Sequence, residues 1–187
     1  MSSSGPNSPG TSADDSSIGG ALSIWSNPNN SQASDNSYAT CILTGGTHYL
    51  KNTNFGFSIP SGATIDGIVV EIERHDNSGG LGTTKDNAVR IVKGGTIGST
   101  DKSTGTDWAA TDPNTYVSYG GVSDLWGETW TDSDINSSGF GTALSAQQGS
   151  GGPGGASCDH VRVTVHYTAS SATQPVRTMH QARQRRT

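Results

Sequence analysis

The chain has 187 residues, of which 30 % are hydrophobic, 14 % are charged and 26 residues are glycine. Globular proteins average about 45–50 % apolar and about 25 % charged residues, so this composition excludes a typical core-rich enzyme and a highly charged disordered chain. The abundant glycine, serine, threonine, asparagine and aspartate favour turns and form helices poorly, which argues against an all-α fold.

The net charge of −5 conceals two parts of opposite sign. Residues 1–168 hold seven Lys and Arg against sixteen Asp and Glu, a net charge of 7 − 16 = −9, and the remaining four cations are Arg177, Arg183, Arg185 and Arg186. A basic tail on an acidic body is typical of a segment that docks on another molecule, although an exposed solubilising tail has the same composition. We expect no nucleic-acid partner, because phosphate neutralisation needs clustered cations over the body.

Residues 1–20 contain almost no apolar side chains. Such a segment cannot fold alone, so we expect an extended N-terminal arm that becomes ordered on a neighbouring subunit. The segment lacks the basic and apolar regions of a signal peptide, and no stretch of the chain approaches about 18 apolar residues. We therefore expect neither signal-directed secretion nor a membrane span.

Short apolar stretches separated by turn residues begin after residue 20. In the first half they predict strands at Tyr38–Leu43, at Tyr49–Ile59 and at Ile65–Arg74. The second half of Tyr49–Ile59 alternates apolar and small residues, which is typical of a half-buried strand. Ile65–Arg74 has the same alternation, with Glu71 and Glu73 on its polar face.

The second half of the chain predicts further strands at Asn87–Val92, Tyr116–Tyr119, Gly139–Leu144 and Cys158–Tyr167. Gly139–Leu144 is interpreted as an edge strand. Cys158–Tyr167 alternates most cleanly, and we expect His160 and His166 to occupy its solvent-facing side. A long polar stretch, residues 96–115, and a glycine-rich loop, Gly149–Gly155, separate these strands.

About seven to nine short strands joined by loops of uneven length, with no convincing helix, predict an all-β fold. We expect an antiparallel two-sheet β-sandwich with jelly-roll or Greek-key-like connections, because pairing two amphipathic sheets buries one face of each. The sandwich would span residues 21–168, between an extended N-terminal arm at 1–20 and a basic C-terminal arm at 169–187. A helical turn at Asp124–Trp130 is a minor alternative.

No arrangement of residues points to catalysis or to a cofactor. The five histidines are scattered without metal-binding spacing, and no serine or cysteine has the pattern of a nucleophile with its base. Cys41 and Cys158 lie far apart and are interpreted as small buried hydrophobic residues. The sequence therefore predicts a non-enzyme with no catalytic, cofactor or metal site.

One acidic segment resembles a calcium loop in part. Asp132, Asp134 and Asn136 place oxygen ligands at alternate positions, but the glycine comes at the eighth position, Gly139, and no acid follows at the twelfth. Turn formation or helix capping by these residues is the alternative interpretation. Three tryptophans, Trp108, Trp126 and Trp130, could stack on sugar rings or, as the alternative, fill a core that has few aliphatic residues.

Four segments, taken in order, carry a resemblance to known proteins: Phe57–Arg74, Tyr119–Trp130, Phe140–Leu144 and Val161–Tyr167. Together they resemble a group of tailed-bacteriophage virion proteins with a β-sandwich domain. The likeness covers roughly residues 21–168 and excludes both ends of the chain. It implies a component of the virus particle, either on the capsid or in the tail.

On this basis we expect a capsid decoration or cement protein of the virion. It would bind the major capsid protein or other virion proteins, with Arg177, Arg183, Arg185 and Arg186 pairing with acidic shell surface. We also expect a homo-oligomer, with a trimer suggested by the symmetry of shell axes. The alternative function is a carbohydrate-binding module of a tail or tail fibre that uses Trp108, Trp126 or Trp130.

Overall fold

Two antiparallel β-sheets face each other in the computed structural model of the protein, which describes residues 1–20 and 22–170. This arrangement confirms the predicted all-β two-sheet sandwich. The strands of the described residues are β1 (Ser2–Asn7), β2 (Thr11–Asp15), β3 (Ala39–Leu43), β4 (Tyr49–Thr53), β5 (Thr64–Asp76), β6 (Gly82–Lys93), β7 (Thr96–Ile97), β8 (Tyr116–Gly121), β9 (Gly141–Gly151) and β10 (Gly154–Thr168). Short helical elements occur at Ser16–Ile18, at Pro28–Ser31 and, as α1, at Asp132–Asn136.

The strand order is β1-β10-β5-β8 in the first sheet, where β3 also pairs with β10, and β2-β4-β9-β6-β7 in the second. Every connection between consecutive strands of the described residues crosses from one sheet to the other, except the one from β6 to β7. The prediction of an edge strand at Gly139–Leu144 is wrong, because β9 lies between β4 and β6. Much of the predicted glycine loop, Gly149–Gly155, belongs to the ends of β9 and β10.

Alternating apolar side chains of both sheets form the core. Ile68, Val70 and Ile72 of β5 and the alternate valines of β10 are fully buried, together with Val89 and Ile91 of β6. Burial at about 25 cal/mol per Å² of apolar surface makes this alternation the main stabilising contribution of the long strands. The sequence pattern therefore identified the inner face of β5 and β10 correctly.

The predicted strand at Tyr49–Ile59 is only half correct. β4 ends at Thr53, and Asn54 has φ 60°, which turns the backbone away from the sheet. Phe55, Phe57 and Ile59 are nevertheless buried, because the segment packs into the core, where Phe55 and Phe57 lie edge-on to Phe140. The side chain of Asn136 holds it there by hydrogen bonds to the backbone N–H and C=O of Ile59, at 2.7 Å and 2.9 Å.

The N-terminal residues differ from the expected arm. β1 pairs with β10 in the first sheet, and β2 pairs with β4 over five residues in the second, so this segment is part of the sandwich of its own chain. Backbone hydrogen bonds supply the ordering that apolar side chains could not. A composition-based boundary at residue 20 missed this, because strand addition needs backbone groups more than particular side chains.

Polar side chains pair one by one where β2 joins the second sheet. Ser12 is buried and donates to Asn52 Oδ1 at 2.6 Å, while Asp14 Oδ2 lies 2.7 Å from His48 Nδ1. Asp15 accepts from Lys51 Nζ at 2.9 Å. Satisfied polar pairs thus replace apolar packing at this edge.

A buried ion pair links the two sheets. Arg74 of β5 lies 3.1 Å from Asp86 of β6, and their side chains are 4 % and 0 % exposed. Tyr119 accepts from Arg74 and donates to Asp86, and Trp108 donates its indole N–H to Asp86 at 2.8 Å. The Arg74 guanidinium also lies over the Trp108 ring, 4.5 Å from its centre. Every oxygen of Asp86 therefore has a donor, as a buried carboxylate requires.

Replacing Asp86 by alanine is expected to lower the free energy of unfolding by about 3–5 kcal/mol, because the change leaves Arg74 buried without its counter-ion. Urea unfolding followed by tryptophan fluorescence measures the loss. The matched control is Asp107→Ala, which removes an exposed carboxylate from the polar stretch that holds Trp108 and should change stability by less than about 0.5 kcal/mol. Equal effects of the two substitutions would contradict the role given to the ion pair.

Asp15 gives a prediction for acid stability. Partial burial raises its pKa, but hydrogen bonds from Ser17 and Lys51 outweigh burial and lower the pKa to about 2, from an ordinary value of 3.8. A lowered folded-state pKa stabilises the protein above about pH 4, and this contribution is lost as the pH falls toward 2.

Asp15→Asn should therefore lower the free energy of unfolding by about 1 kcal/mol at pH 7 and by almost nothing at pH 2. The effect at pH 7 is no larger because solvent screens this partly exposed ion pair. Urea unfolding at pH 7, 4 and 2 tests this, with Asp107→Asn as the control. If the wild type and the variant differ in free energy of unfolding by the same amount at all three pH values, the charge of Asp15 contributes nothing to stability.

Candidate functional site

Three carboxylates from distant parts of the chain converge on the outer side of the first sheet. One oxygen from each of Glu73, Asp112 and Asp159 lies within 4.8 Å of the other two. Glu73 and Asp159 are each only 1 % exposed, and Asp112 is half-buried. No other group of metal-ligating side chains of this kind occurs within residues 1–20 and 22–170. This carboxylate cluster is the candidate site.

A β-bulge brings Asp159 to the cluster. Cys158 pairs with Arg74, which points between the sheets, and the next paired residue of β10, His160, is opposite Glu73. Asp159 is the extra residue between these two pairs, so the alternation of β10 shifts by one position there. Bulges re-aim side chains in this way and are common beside functional sites.

Asp112 reaches the cluster from the polar stretch between β7 and β8. That stretch is fixed by Trp108, which is buried and bonded to Asp86, and by Thr104, whose backbone N–H also donates to Asp86 at 3.0 Å. Asp112 accepts from the Tyr38 hydroxyl at 2.8 Å and from the backbone N–H of Asn114 at 2.8 Å. The buried ion pair thus helps to determine where Asp112 lies.

The cluster concentrates negative charge without an ion-pair partner among the described residues. None of its carboxylates is in an ion pair with another described residue, since Arg162 binds Glu71 and Arg74 binds Asp86. Two unit charges about 4.8 Å apart repel by about 3–4 kcal/mol at an effective dielectric constant of about 20. Three ionised carboxylates in this arrangement need a proton or a cation to offset the repulsion.

Perturbed acidities reflect the same charge. Burial, together with the negative charges of Glu73 and Asp112, raises the pKa of Asp159 even though the backbone N–H groups of Asp35 and Asn36 donate to it. The hydrogen bond to Asp112 raises the pKa of Tyr38 to about 12. Such shifts in a group of converging side chains mark a candidate functional site.

His160 borders the cluster. It is buried, contrary to the prediction that it faces solvent. Its side chain hydrogen-bonds through Nδ1 with the Tyr116 hydroxyl at 2.8 Å and through Nε2 with Ser8 at 2.9 Å, and the residue is 7 % exposed. The segment between β1 and β2 covers it, and burial lowers its pKa. His166 is half-buried on the same strand.

All atoms offered by the cluster are hard oxygens. Carboxylates without thiolate or imidazole ligands suit Ca²⁺ or Mg²⁺ and disfavour zinc. The sequence offered no signal for this site, because its members lie at positions 73, 112 and 159 and the bulge is not visible in the alternation. The alternation predicted Glu73 on the polar face of β5 and did not indicate that this side chain is buried.

The acidic segment singled out from sequence is structured by capping instead. Thr131 caps α1 and exchanges hydrogen bonds with Asp134, which also lies 3.4 Å from Lys93 Nζ. Asn136 binds the backbone of Ile59. The capping interpretation is confirmed, since the polar atoms of Asp134 and Asn136 are engaged by the protein itself.

The tryptophans proposed for sugar stacking are mainly core residues. Trp108 and Trp126 are 4 % and 1 % exposed, so neither ring face is available to a ligand. Trp126 donates to the backbone carbonyl of Ile68 at 3.0 Å. Trp130 is half-buried and packs edge-on against Phe140, with ring centres 5.4 Å apart. The structure therefore corrects the stacking hypothesis for Trp108 and Trp126.

The prediction that the two cysteines are small buried residues is confirmed. Cys41 and Cys158 are buried free thiols, and burial raises the pKa of Cys41 to about 11.

The four arginines of the predicted basic arm, Arg177, Arg183, Arg185 and Arg186, lie outside the described residues. Among the residues described, no helix is long and apolar enough to cross a bilayer.

Comparison of the chain with protein-family models, with curated proteins and with solved structures finds no match in any of the three. The class that the fold and the site define is therefore an all-β sandwich with a buried carboxylate cluster.

The burial of the tryptophans gives a direct prediction. Trp126→Ala should lower the free energy of unfolding by about 3–5 kcal/mol, because it empties a fully enclosed site, whereas Trp130→Ala at a half-buried position should cost less. Urea unfolding measures both. A Trp126→Ala protein of unchanged stability that had lost binding on a glycan array would instead support the stacking hypothesis.

Proposed function

We propose that this chain is a non-enzymatic structural protein of a tailed-bacteriophage particle, a capsid decoration or cement protein. Support comes from the resemblance carried by Phe57–Arg74, Tyr119–Trp130, Phe140–Leu144 and Val161–Tyr167. Three of these segments include parts of the central strands β5, β9 and β10, and the other joins β8 to the turn that inserts Trp126 into the core. The resemblance therefore falls on the framework of the sandwich.

The proposed mode of attachment rests on the division of charge along the chain. Residues 1–168 carry a net charge of 7 − 16 = −9, and the four arginines that follow are accompanied by no acid. A rigid acidic body with a separate cationic segment can bind an acidic shell through that segment. Arginine suits this task because its guanidinium binds carboxylates bidentately.

The proposed partners are the major capsid protein or other virion proteins, and copies of the chain itself. Tethering a folded body through a short charged segment raises the local concentration of any second contact, so several weak contacts can give firm attachment. A trimer is the oligomer proposed, because a closed symmetric assembly matches the symmetry of shell axes.

Deletion of residues 171–187 is expected to abolish loading of the protein onto particles, while thermal unfolding of the sandwich stays unchanged. Co-sedimentation of purified protein with particles lacking it provides the measurement. Full loading by the truncated protein would refute the anchoring role of the tail.

Two matched variants separate charge from simple chain length. The first variant replaces all four arginines by glutamine and the second replaces all four by lysine. The substituted residues are Arg177, Arg183, Arg185 and Arg186. We expect the glutamine variant to lose loading at physiological salt and the lysine variant to retain part of it, because lysine keeps the charge but not the bidentate geometry. Equal loading by both variants and the wild type would contradict the proposal.

A further inference from the structure

We propose that Glu73, Asp112 and Asp159 bind one hard divalent cation, with Ca²⁺ as the natural occupant. The inference is independent of a role in a phage particle. It rests on the placement of the carboxylates, on an unsatisfied buried oxygen and on the absence of an ion pair between the cluster and any other described residue.

The unsatisfied oxygen is the observation that points to a ligand. Oε2 of Glu73 is fully buried and has no hydrogen-bond partner among the described residues, although the residue is 1 % exposed. Buried carboxylate oxygens are otherwise hydrogen-bonded or coordinate metals. Asp86, a buried acid outside the cluster, has donors for both its oxygens. Glu73 therefore lacks the partner that its environment requires.

The spacing of the oxygens suits a cation. Three atoms that all lie within 4.8 Å of one another fit around a common centre at a distance of at most about 2.8 Å, close to the 2.3–2.6 Å of calcium–oxygen bonds. A movement of a few tenths of an ångström by the side chains would complete the contacts. Calcium also accepts irregular coordination, which suits ligands that come from a strand, a bulge and a loop.

The surroundings leave room for further ligands on one side. Asp112 is half-buried, so water can complete a coordination shell there, whereas Glu73 and Asp159 close the opposite side. Asp159 and Asp112 already accept hydrogen bonds from Asn36 and Tyr38, which orient their carboxylates. Groups that orient the ligands in this way commonly support metal sites.

A bound cation would join separate parts of the sandwich. Glu73 belongs to β5, Asp159 to β10, and Asp112 to the long polar stretch before β8. The segment that follows Pro28–Ser31 is attached to the same site, since its backbone donates to Asp159. A bound calcium ion thus links the first sheet to two long connections, and it offsets the repulsion among the carboxylates.

The test uses the full chain freed of metal with EDTA. Addition of Ca²⁺ at a hundredfold excess over its dissociation constant should raise the melting temperature by roughly 5–10 °C. Tb³⁺ should bind with one-to-one stoichiometry at this site and show luminescence excited through the nearby tyrosines, because Tyr38 contacts a ligand directly. Added Ca²⁺ should displace that signal.

Glu73→Gln and Asp159→Asn keep the shape of each side chain and remove its charge. Both should abolish the calcium-dependent rise in melting temperature and the terbium signal. Asp112→Asn, at a half-exposed position, provides a ligand variant that avoids the risk of a misfolded core, and it should weaken Ca²⁺ binding at least tenfold. The control is Asp132→Asn, which changes an acid of the capped segment around α1 and should bind Ca²⁺ as the wild type does.

Three outcomes would overturn the proposal. The first is a wild-type melting temperature that is equal in Ca²⁺ and in EDTA. The second is a Glu73→Gln or Asp112→Asn protein that responds to Ca²⁺ as strongly as the wild type. The third is an Asp132→Asn protein that loses the calcium response, which would show that the cation binds at the capped segment around α1 instead.

Discussion

The buried pair of Arg74 and Asp86 is the interaction on which the arrangement of this molecule depends. It spans the space between the sheets, where most contacts are apolar, and it is enclosed by Trp108 and Tyr119. A charge in that position is tolerated only when its partner and its hydrogen bonds are all in place. The pair therefore specifies how the β5–β6 connection crosses between sheets and where the long polar stretch must lie.

The same constraint organises the outer side of the first sheet. Arg74 points inward and its neighbour Glu73 points outward, as alternation along β5 requires. Because Trp108 and Thr104 fasten the polar stretch to Asp86, Asp112 is delivered to the side where Glu73 emerges. The inner charges are balanced by each other, whereas the outer carboxylates are left without a counter-ion among the described residues. One β-strand thus separates a neutral polar centre from an anionic one.

The extent to which sequence predicted this structure follows from the range of the interactions. Period-two alternation identified the buried faces of β5 and β10, because it depends on local geometry alone. It did not identify β1 and β2, since these strands are held by backbone bonds and by polar pairs such as Ser12 with Asn52. The carboxylate cluster was equally hidden, because the bulge at Asp159 and the position of Asp112 result from contacts between residues far apart in the chain.

The low apolar content acquires a structural explanation from the same observations. Few aliphatic residues suffice when aromatic rings contribute to the apolar core, and when polar groups that satisfy one another occupy part of the inter-sheet space and the strand edges. Such a fold has less tolerance for the loss of a single partner than an apolar core, because each deletion leaves a buried polar atom unpaired. Glu73 Oε2 is a position at which this pairing is incomplete among the described residues. In a molecule built on matched polar groups, that oxygen is where an external cation contributes most.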